Sequence, residues 1–301
     1  MPKRINRALF FLFLVFGWTL VVSGCANDKP SIITQGDSLP LTSAAPTSQI
    51  PLAIINPSET SSESSSNPPS SSGVQKAQTQ AQAVPILYYH SVMREVGNEV
   101  RMPPDQFEDQ MAYLQDKGYQ SISLDQFYQA EYFGETLPAK PIMITFDDGY
   151  ADNYTTAFPI LKKYGFTATI FMVSSYIDGE GFMTWPQLKE LAANGWQIEG
   201  HTANHTDLTK LDSKTVLSEL KSSKELLEKG LGQPVDFFAY PYGDFNAGVV
   251  LAVKNTGYVM AFTTERGWAD HNADAWHVHR VYCYAFMGMT EFSRRLQNPN
   301  Y

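Results

Sequence analysis

The sequence predicts an α/β fold, a distorted (β/α) barrel of about seven or eight parallel strands, preceded by a disordered tether. Short apolar runs alternate with amphipathic segments from residue 84 to the end of the chain, the order typical of a parallel sheet covered by helices. Seven or eight such units suit a closed or distorted barrel. An open doubly wound sheet is the alternative, but no glycine-rich G-x-G-x-x-G loop is present to mark a nucleotide site.

The predicted strands are short segments of four to seven residues, most of them apolar. The run 141–146 is apolar throughout, the pattern of a strand buried on both faces. The run 167–173 combines apolar and β-branched residues, which favour strands. In chain order, the predicted strands are 85–90, 119–124, 141–146, 167–173, 196–199, 235–240, 258–263 and 279–284.

The predicted helices lie between these runs and end at glycine or at polar residues. The first begins at Pro104 and places Phe107, Met111 and Leu114 on one face before Gly118 ends it. The others span 152–164, 184–194, 213–229 and 246–257, with Thr184 and Asn246 as N-caps and Leu217, Leu220, Leu226 and Leu227 facing inward from the fourth helix.

Residues 1–24 have the organisation of a signal peptide. Three basic residues precede the apolar run 8–22, which is shorter than the ~20 residues of a membrane span and ends in small residues. The segment from Val22 to Cys25 resembles the bacterial lipobox, in which the cysteine is lipidated after cleavage. We therefore predict a lipoprotein anchored through Cys25 to the outer face of a bacterial membrane; the alternative is an uncleaved signal anchor with an incidental cysteine.

Residues 25–83 are predicted to be the lipidated cysteine and a disordered linker. The stretch 57–73 contains nine serines and three prolines, and such a segment buries too little apolar surface to offset its conformational entropy. It would let the domain 84–301 range tens of ångströms from the membrane, so a cell-wall span or a long polymer is a plausible target.

Charge and cysteine content exclude several classes of protein. The chain has 22 basic and 31 acidic residues, a net charge of -9, which disfavours a nucleic-acid partner. Losing three basic residues with the signal peptide would change this net charge to -12, so a lipid rather than a basic patch would hold the protein to the membrane. The chain's two cysteines cannot build a disulfide scaffold or a cysteine-rich zinc module.

Candidate metal ligands directly follow two predicted strands. Asp147 and Asp148 come directly after the run 141–146, and His201 and His205 follow the run 196–199. Two histidines four residues apart could face one centre on a helical turn. Asp148, His201 and His205 would complete the three-ligand set of a catalytic zinc, while Asp147 could take a proton from water. Taken singly, these are also turn-forming carboxylates or surface histidines.

Two further strand ends carry candidate functional residues. His90 ends the first predicted strand, where barrel enzymes place acid–base groups; the alternative is an ordinary core histidine. The turn Tyr240-Pro241-Tyr242-Gly243 follows the strand 235–240 and could present a backbone N–H to a ligand, or be an ordinary strand–helix turn.

The motifs at 145–149, at 201–205 and at 240–243 together resemble those of the polysaccharide deacetylases of carbohydrate esterase family four, over essentially all of 84–301. The segment 85–92 further resembles the branch that deacetylates poly-β-1,6-N-acetylglucosamine. The resemblance implies a distorted (β/α) barrel, a divalent metal (most commonly Zn²⁺) held by Asp148, His201 and His205, and Asp147 as general base. It also implies that the Tyr242 backbone N–H helps to hold the oxyanion.

Two positions depart from the pattern of many family members. Those members take the general acid from a C-terminal Leu-x-His motif, whereas the candidates here are His277 and His279, neither in that pattern, and His90, which we favour because the exopolysaccharide branch uses its N-terminal Tyr-His. An arginine that orients the base is replaced by Ala239; Arg280 or Arg266 could supply it.

The expected activity is therefore hydrolysis of N-acetyl groups on a cell-surface N-acetylglucosamine polymer, most readily poly-β-1,6-N-acetylglucosamine of a biofilm matrix. Alternatives within the family are a peptidoglycan or chitin deacetylase and an O-acetyl esterase acting on xylan. A non-enzymatic alternative is a polysaccharide-binding surface lipoprotein, which the complete set of Asp147, Asp148, His201 and His205 disfavours.

Overall fold

The computed structural model describes residues 83–270 and 274–301. The predicted signal peptide, Cys25 and all but the last residue of the predicted linker lie outside the described residues and stay predictions. Among the described residues, no helix is both long and apolar enough to span a bilayer.

Seven parallel strands form a closed barrel, and an eighth short strand extends the sheet on its outside. The hydrogen-bonded order is β1-β8-β7-β6-β5-β4-β3, and pairing of β1 with β3 closes the ring. Strand β2 pairs only with β3. The predicted barrel is confirmed. The strands are β1 (Ile86–Tyr89), β2 (Gln120–Ser121), β3 (Pro141–Asp148), β4 (Thr169–Met172), β5 (Gln197–Gly200), β6 (Phe237–Ala239), β7 (Met260–Arg266) and β8 (Val278–Tyr282).

Helices connect most of these strands, and the predicted N-caps are confirmed. Thr184 forms a capping box with Gln187, and the Asn246 side chain accepts from the Val249 N–H. Both bonds satisfy backbone donors that a helix start leaves unpaired. The α-helices are α1 (Pro104–Asp116), α2 (Leu124–Phe133), α3 (Phe158–Tyr164), α4 (Trp185–Ala193), α5 (Ser213–Leu231), α6 (Ala247–Thr256) and α7 (Met289–Arg295).

Two of these helices were not predicted from the sequence. The predicted strand 119–124 is wrong beyond Ser121, because Ser123 caps α2 through a capping box with Gln126 and Gly134 ends the helix in a left-handed conformation. These cap residues were the available signal. Helix α7, near the C-terminus, has no side-chain cap hydrogen bond.

Alternate residues of the strands belong to two apolar clusters. Ile86, Met143 and Phe171 join the cluster that fills the barrel, whereas Leu87 and Ile144 join the cluster between the strands and the surrounding helices. This follows from the two-residue period of a strand. On α5, Leu220 and Leu227 are buried as predicted, but Leu226 is 44% exposed, so its inward assignment is wrong.

Helix α2 closes the amino end of the barrel, opposite the polar residues that end β3. Leu124 and Phe127 belong to the barrel-filling cluster, and the Leu124 N–H donates to the side chain of Gln197 at the start of β5. The open end is therefore the one formed by the carboxyl ends of the strands, where barrel enzymes carry their chemistry.

Candidate metal centre and active site

Asp148, His201 and His205 meet at the carboxyl end of the barrel. One ligand atom from each lies within 4.8 Å of the other two, and Asp148 Oδ1 is 3.6 Å from His201 Nε2 and 3.2 Å from His205 Nε2. Asp148 Oδ1 is buried and accepts no hydrogen bond within the described part of the chain. A buried carboxylate oxygen without a donor is costly, so the group fits a cation and could bind a metal.

The two imidazole rings are held with Nε2 toward this centre. His201 Nδ1 lies 2.7 Å from the carbonyl oxygen of Ala239, and His205 Nδ1 lies 3.2 Å from the Tyr242 hydroxyl. Such outer partners fix the ring orientation of metal-binding histidines. Burial lowers the pKa of His201 to about 3 and also lowers that of His205, which keeps both rings neutral, the form that binds metals.

The loop that carries both histidines is not the helical turn that the sequence predicted. Thr202 and His205 have φ values of 67° and 54°, the left-handed region that L-residues rarely adopt. The Thr202 hydroxyl accepts from the His205 N–H at 2.9 Å, and this bond stabilises the turn. The expected convergence of the two rings is therefore reached by a strained loop rather than by helical spacing.

Asp147 points into the barrel and is bound by Arg280. The guanidinium Nη1 and Nη2 atoms each donate to one carboxylate oxygen at 2.8 Å. Burial acts to raise the pKa of Asp147, but attraction to Arg280 outweighs it and lowers the pKa to about 2. Asp147 is thus an ionised carboxylate beside the candidate metal group, as a general base requires.

Asp148 has the opposite electrostatic balance although it is the next residue. Burial raises its pKa to about 6, the Asp147 charge adds to this effect and the charge of His90 opposes it. A φ of 73° at Asp148 turns its side chain away from the strand direction. Adjacent carboxylates therefore have different surroundings, one paired with a guanidinium and one facing two imidazoles.

Arg280 is the arginine that the sequence left unplaced. It lies on β8, is fully buried, and its Nε donates to the Thr263 carbonyl at 2.9 Å. Its guanidinium carbon lies 4.4 Å from the centre of the Tyr88 ring. The available signal was an arginine within an apolar strand, since such a buried charge needs a partner.

His90 and His279 occupy different environments. His90 follows β1, and its charge acts to lower the pKa of Asp147 and opposes the rise in the pKa of Asp148. The His279 side chain is 42% exposed, and its Nε2 lies 3.1 Å from Glu265. His277 is paired with Asp274 at 2.9 Å. Only His90 among these three acts electrostatically on both carboxylates.

Tyr242 lies at the rim of the same site. It has a φ of 62° within the short turn that follows β6, and 61% of its surface is exposed. Its ring packs edge-on against His205 with the ring centres 4.7 Å apart. The Tyr242 side chain therefore contacts a candidate metal ligand, and the oxyanion contact of its backbone N–H stays a prediction.

Comparison with known proteins identifies the family. Residues 134–261 match the family Polysaccharide deacetylase. A Bacillus subtilis protein, YxkH, whose name assigns it to the polysaccharide deacetylases, is 39% identical over 198 residues, which are 66% of this chain and 70% of that protein. This chain belongs to the polysaccharide deacetylase family. It is a hydrolase of carbohydrate esterase family four, and members of this family are metal-dependent.

Two further relatives extend the comparison. The poly-β-1,6-N-acetyl-D-glucosamine N-deacetylase of Staphylococcus aureus is 28% identical over 210 residues, covering 65% of this chain and 72% of the relative. The Streptococcus pyogenes deacetylase PplD, solved in complex with acetate, is 29% identical with a TM-score of 0.68, covering 72% of this chain and 99% of that one. The barrel of the deacetylase described above is therefore the fold of its relatives.

Residues that the sequence analysis did not single out hold the segment after β1. Asp152 accepts from the Ser91 hydroxyl at 2.6 Å and from the Val92 N–H at 2.7 Å, and Asn153 donates to the His90 carbonyl at 2.7 Å. Asn153 begins a five-residue π-helical turn, a feature that often marks functional sites. The only sequence signal was their position just after Asp147 and Asp148.

A polar groove adjoins the candidate metal ligands of the deacetylase. Its volume is about 510 Å³, and it is lined by His205, Thr206, Asp207, Lys210, Tyr242 and Asp244. The exposed Tyr242 ring provides an apolar face, and the charged groups can exchange hydrogen bonds with hydroxyls. Aromatic faces combined with a few polar groups are typical of sites for small organic ligands, and a sugar ring offers both kinds of surface.

Proposed function

We propose that this deacetylase removes N-acetyl groups from poly-β-1,6-N-acetylglucosamine at the cell surface. The observation that carries the proposal is that the charge of His90 acts on both Asp147 and Asp148, whereas His279 is partly exposed and pairs with Glu265. An acid supplied from the end of β1 is what the resemblance to the exopolysaccharide branch implies. The similarity to the Staphylococcus aureus deacetylase supports the same substrate.

The reaction is hydrolysis of the acetamide, which consumes water and yields acetate and a free amine. A divalent cation held by Asp148, His201 and His205, which we propose to be Zn²⁺, would polarise the acetyl carbonyl and lower the pKa of nearby water. Asp147 accepts the proton of the attacking water, and the Tyr242 N–H donates to the developing oxyanion. Protonated His90 then donates a proton to the leaving amine nitrogen.

The electrostatics around Asp147 support its role. A carboxylate paired with two guanidinium donors is ionised, oriented and unable to rotate away from the site. The pair holds the base in the form that accepts a proton, since its pKa is about 2.

We also propose that the enzyme is tethered to the outer face of a bacterial membrane through lipidated Cys25. The lipobox-like residues 22–25 and the serine- and proline-rich linker support this location. Incorporation of a labelled fatty acid into the wild-type protein and its loss in Cys25→Ala would test the anchor; labelling of the variant would contradict it.

Two other substrates within the family are outcomes of the activity test. Acetate release is compared on β-1,6- and β-1,4-linked N-acetylglucosamine oligomers and on O-acetylated xylan, each with Zn²⁺ present. We expect the β-1,6-linked oligomer to be preferred. Preference for the β-1,4-linked oligomer would identify a chitin or peptidoglycan deacetylase, and preference for xylan would identify an O-acetyl esterase.

A further inference from the structure

We propose that Glu219, on helix α5, is a positioning residue for the metal site and acts through Asn204. Asn204 immediately precedes His205, one of the candidate metal ligands. The inference rests on the three-residue metal group and is independent of which polysaccharide the enzyme cleaves.

Glu219 uses both carboxylate oxygens on a single residue of the ligand-bearing loop. Its Oε2 accepts from the Asn204 backbone N–H at 2.9 Å, and its Oε1 accepts from the Asn204 side-chain amide at 2.7 Å. Hydrogen bonds to an ionised acceptor are stronger than those between neutral groups. Two of them on one residue fix both the position and the orientation of its peptide.

The Glu219 side chain is placed where these bonds have little competition from water. Only 9% of the residue is exposed, and it forms no ion pair within the described ranges, whereas buried carboxylates are ordinarily paired with a cation. Its hydrogen-bond partners there both belong to Asn204. The acid therefore has no evident function on α5 other than to bind this loop.

The loop needs such support because of its backbone conformation. Thr202 and His205 both have left-handed φ values, a strained conformation that contacts with the surrounding structure must offset. On its other side, the loop is bound to the segment after β4, where the Ser175 N–H donates to the Ala203 carbonyl at 2.9 Å. From the helix layer, Glu219 binds the loop at Asn204, the residue that precedes His205.

A test uses metal affinity, which does not depend on substrate. The zinc dissociation constants of the wild-type protein, Glu219→Gln and Glu219→Ala are measured by competition with a chromophoric chelator. Loss of outer partners of metal ligands weakens affinity about 10–100-fold, and we expect Glu219→Ala to fall in this range. Glu219→Gln should weaken binding less, because glutamine keeps one acceptor oxygen.

Leu220→Ala is the matched control, because Leu220 is a fully buried neighbour on the same helix. It should lower the melting temperature while leaving zinc affinity within about twofold of the wild type. If Leu220→Ala weakens zinc binding as much as the Glu219 variants do, or if both Glu219 variants bind zinc like the wild type, the proposal is wrong.

Two further readouts separate positioning from general destabilisation. In a double-mutant cycle, Asn204→Ala combined with Glu219→Ala should weaken zinc binding no more than Glu219→Ala alone, because Glu219→Ala already removes the side-chain hydrogen bond that Asn204→Ala would remove. Fully additive losses would contradict a shared mechanism. The visible absorption of the Co²⁺-loaded protein should change in Glu219→Gln and stay unchanged in Leu220→Ala; an unchanged spectrum in Glu219→Gln would count against the proposal.

Discussion

At the scale of single residues, the site depends on the different surroundings of Asp147 and Asp148, which shift their pKa values in opposite directions. Arg280 pairs with Asp147 through two bonds of 2.8 Å, whereas the buried Asp148 faces His201 and His205. Adjacent carboxylates can therefore perform two tasks, because their charges are stabilised by different partners.

Replacing the proposed base, Asp147, should strongly reduce catalysis and leave the candidate metal group intact. In Asp147→Asn, we expect acetate release to fall about 10²–10⁴-fold, the contribution of a positioned general base. Bound zinc, measured by elemental analysis, should stay at the wild-type level because Asp148, His201 and His205 are unchanged. Loss of zinc in this variant would mean that Asp147 is a ligand.

Removing the partner of the base should destabilise the fold. Arg280→Met leaves the buried Asp147 carboxylate unpaired, and breaking a buried pair costs about 3–5 kcal/mol. The free energy of unfolding in urea measures this change. Arg294→Met is the control, because Arg294 forms a two-bond contact with Glu291 at the surface and exposed pairs contribute about 1 kcal/mol or less.

The pair of Asp147 and Arg280 should also make the stability of the fold depend on pH. The pKa of Asp147 is about 2 in the folded protein and about 3.9 in an unfolded chain. Its pairing therefore stabilises the wild type above the unfolded pKa, and this stabilisation is lost as the pH falls through about 2. The stability difference between wild type and Arg280→Met should shrink over that interval; a difference independent of pH would exclude the ion pair as its origin.

The choice of general acid is tested by two histidine variants. We expect His90→Ala to lower the rate of acetate release about 10²–10⁴-fold, because the charge of His90 acts on both Asp147 and Asp148. His279→Ala should stay near the wild-type rate, since its side chain contacts Glu265 and is 42% exposed. The reverse order would assign the acid to the C-terminal histidine.

At the scale of elements, the site residues lie at or after the ends of strands, and strained turns orient their side chains. Asp148, Thr202, His205 and Tyr242 account for four of the five non-glycine residues with positive φ in the described chain. Strain collected at strand ends is typical of functional sites. The regular elements could thus be predicted from hydrophobic periodicity, whereas these turns follow from contacts with neighbouring loops.

The turn that carries Tyr242 should tolerate no side chain at Gly243. Gly243 has a φ of +78°, and a Cβ there would lie 2.0 Å from Thr264 Oγ1 and 2.8 Å from the Thr264 backbone nitrogen. Gly243→Ala should reduce acetate release and lower the melting temperature. In Gly232→Ala, φ is +74° but nothing lies within 4 Å, so we expect only the backbone cost of about 1–2 kcal/mol and unchanged activity. Equal effects on activity would rule out the steric explanation.

At the scale of the whole molecule, metal binding is coupled to pH and to folding. The candidate metal ligands lie on β3 and on the loop after β5, so a metal bound by them would stabilise the native barrel, by about 2.7 kcal/mol when the metal concentration is 100 times the dissociation constant. Burial raises the pKa of Asp148 to about 6, and a ligand must be deprotonated to bind.

Zinc affinity should therefore weaken as the pH falls below about 6. We expect the apparent dissociation constant to rise about tenfold per pH unit in that range, measured by chelator competition at several pH values. The zinc-induced rise in melting temperature should decline in parallel, and His201→Ala should abolish it at every pH. A shift that persists in His201→Ala would place the zinc elsewhere.

Most of the fold and the metal set follow from local patterns in the sequence. The alternation of apolar runs predicts the barrel, and the strand ends predict Asp147, Asp148 and the two histidines, because parallel strands collect their carboxyl ends on one face. Helix α2 was not predicted because the short segment 119–124 is compatible with a strand, whereas the cap at Ser123 begins a helix at Leu124.

The sequence by itself determined the family, the barrel and the residue types that can bind a metal, since these depend on periodicity and on short motifs. Only the tertiary structure decided which arginine binds Asp147, because Arg280 and Asp147 are 133 positions apart and meet through the interior of the closed barrel. It likewise showed that His90 and His279 have different surroundings and that Glu219 binds Asn204. These contacts join distant segments, and no local pattern in the chain encodes which segments meet.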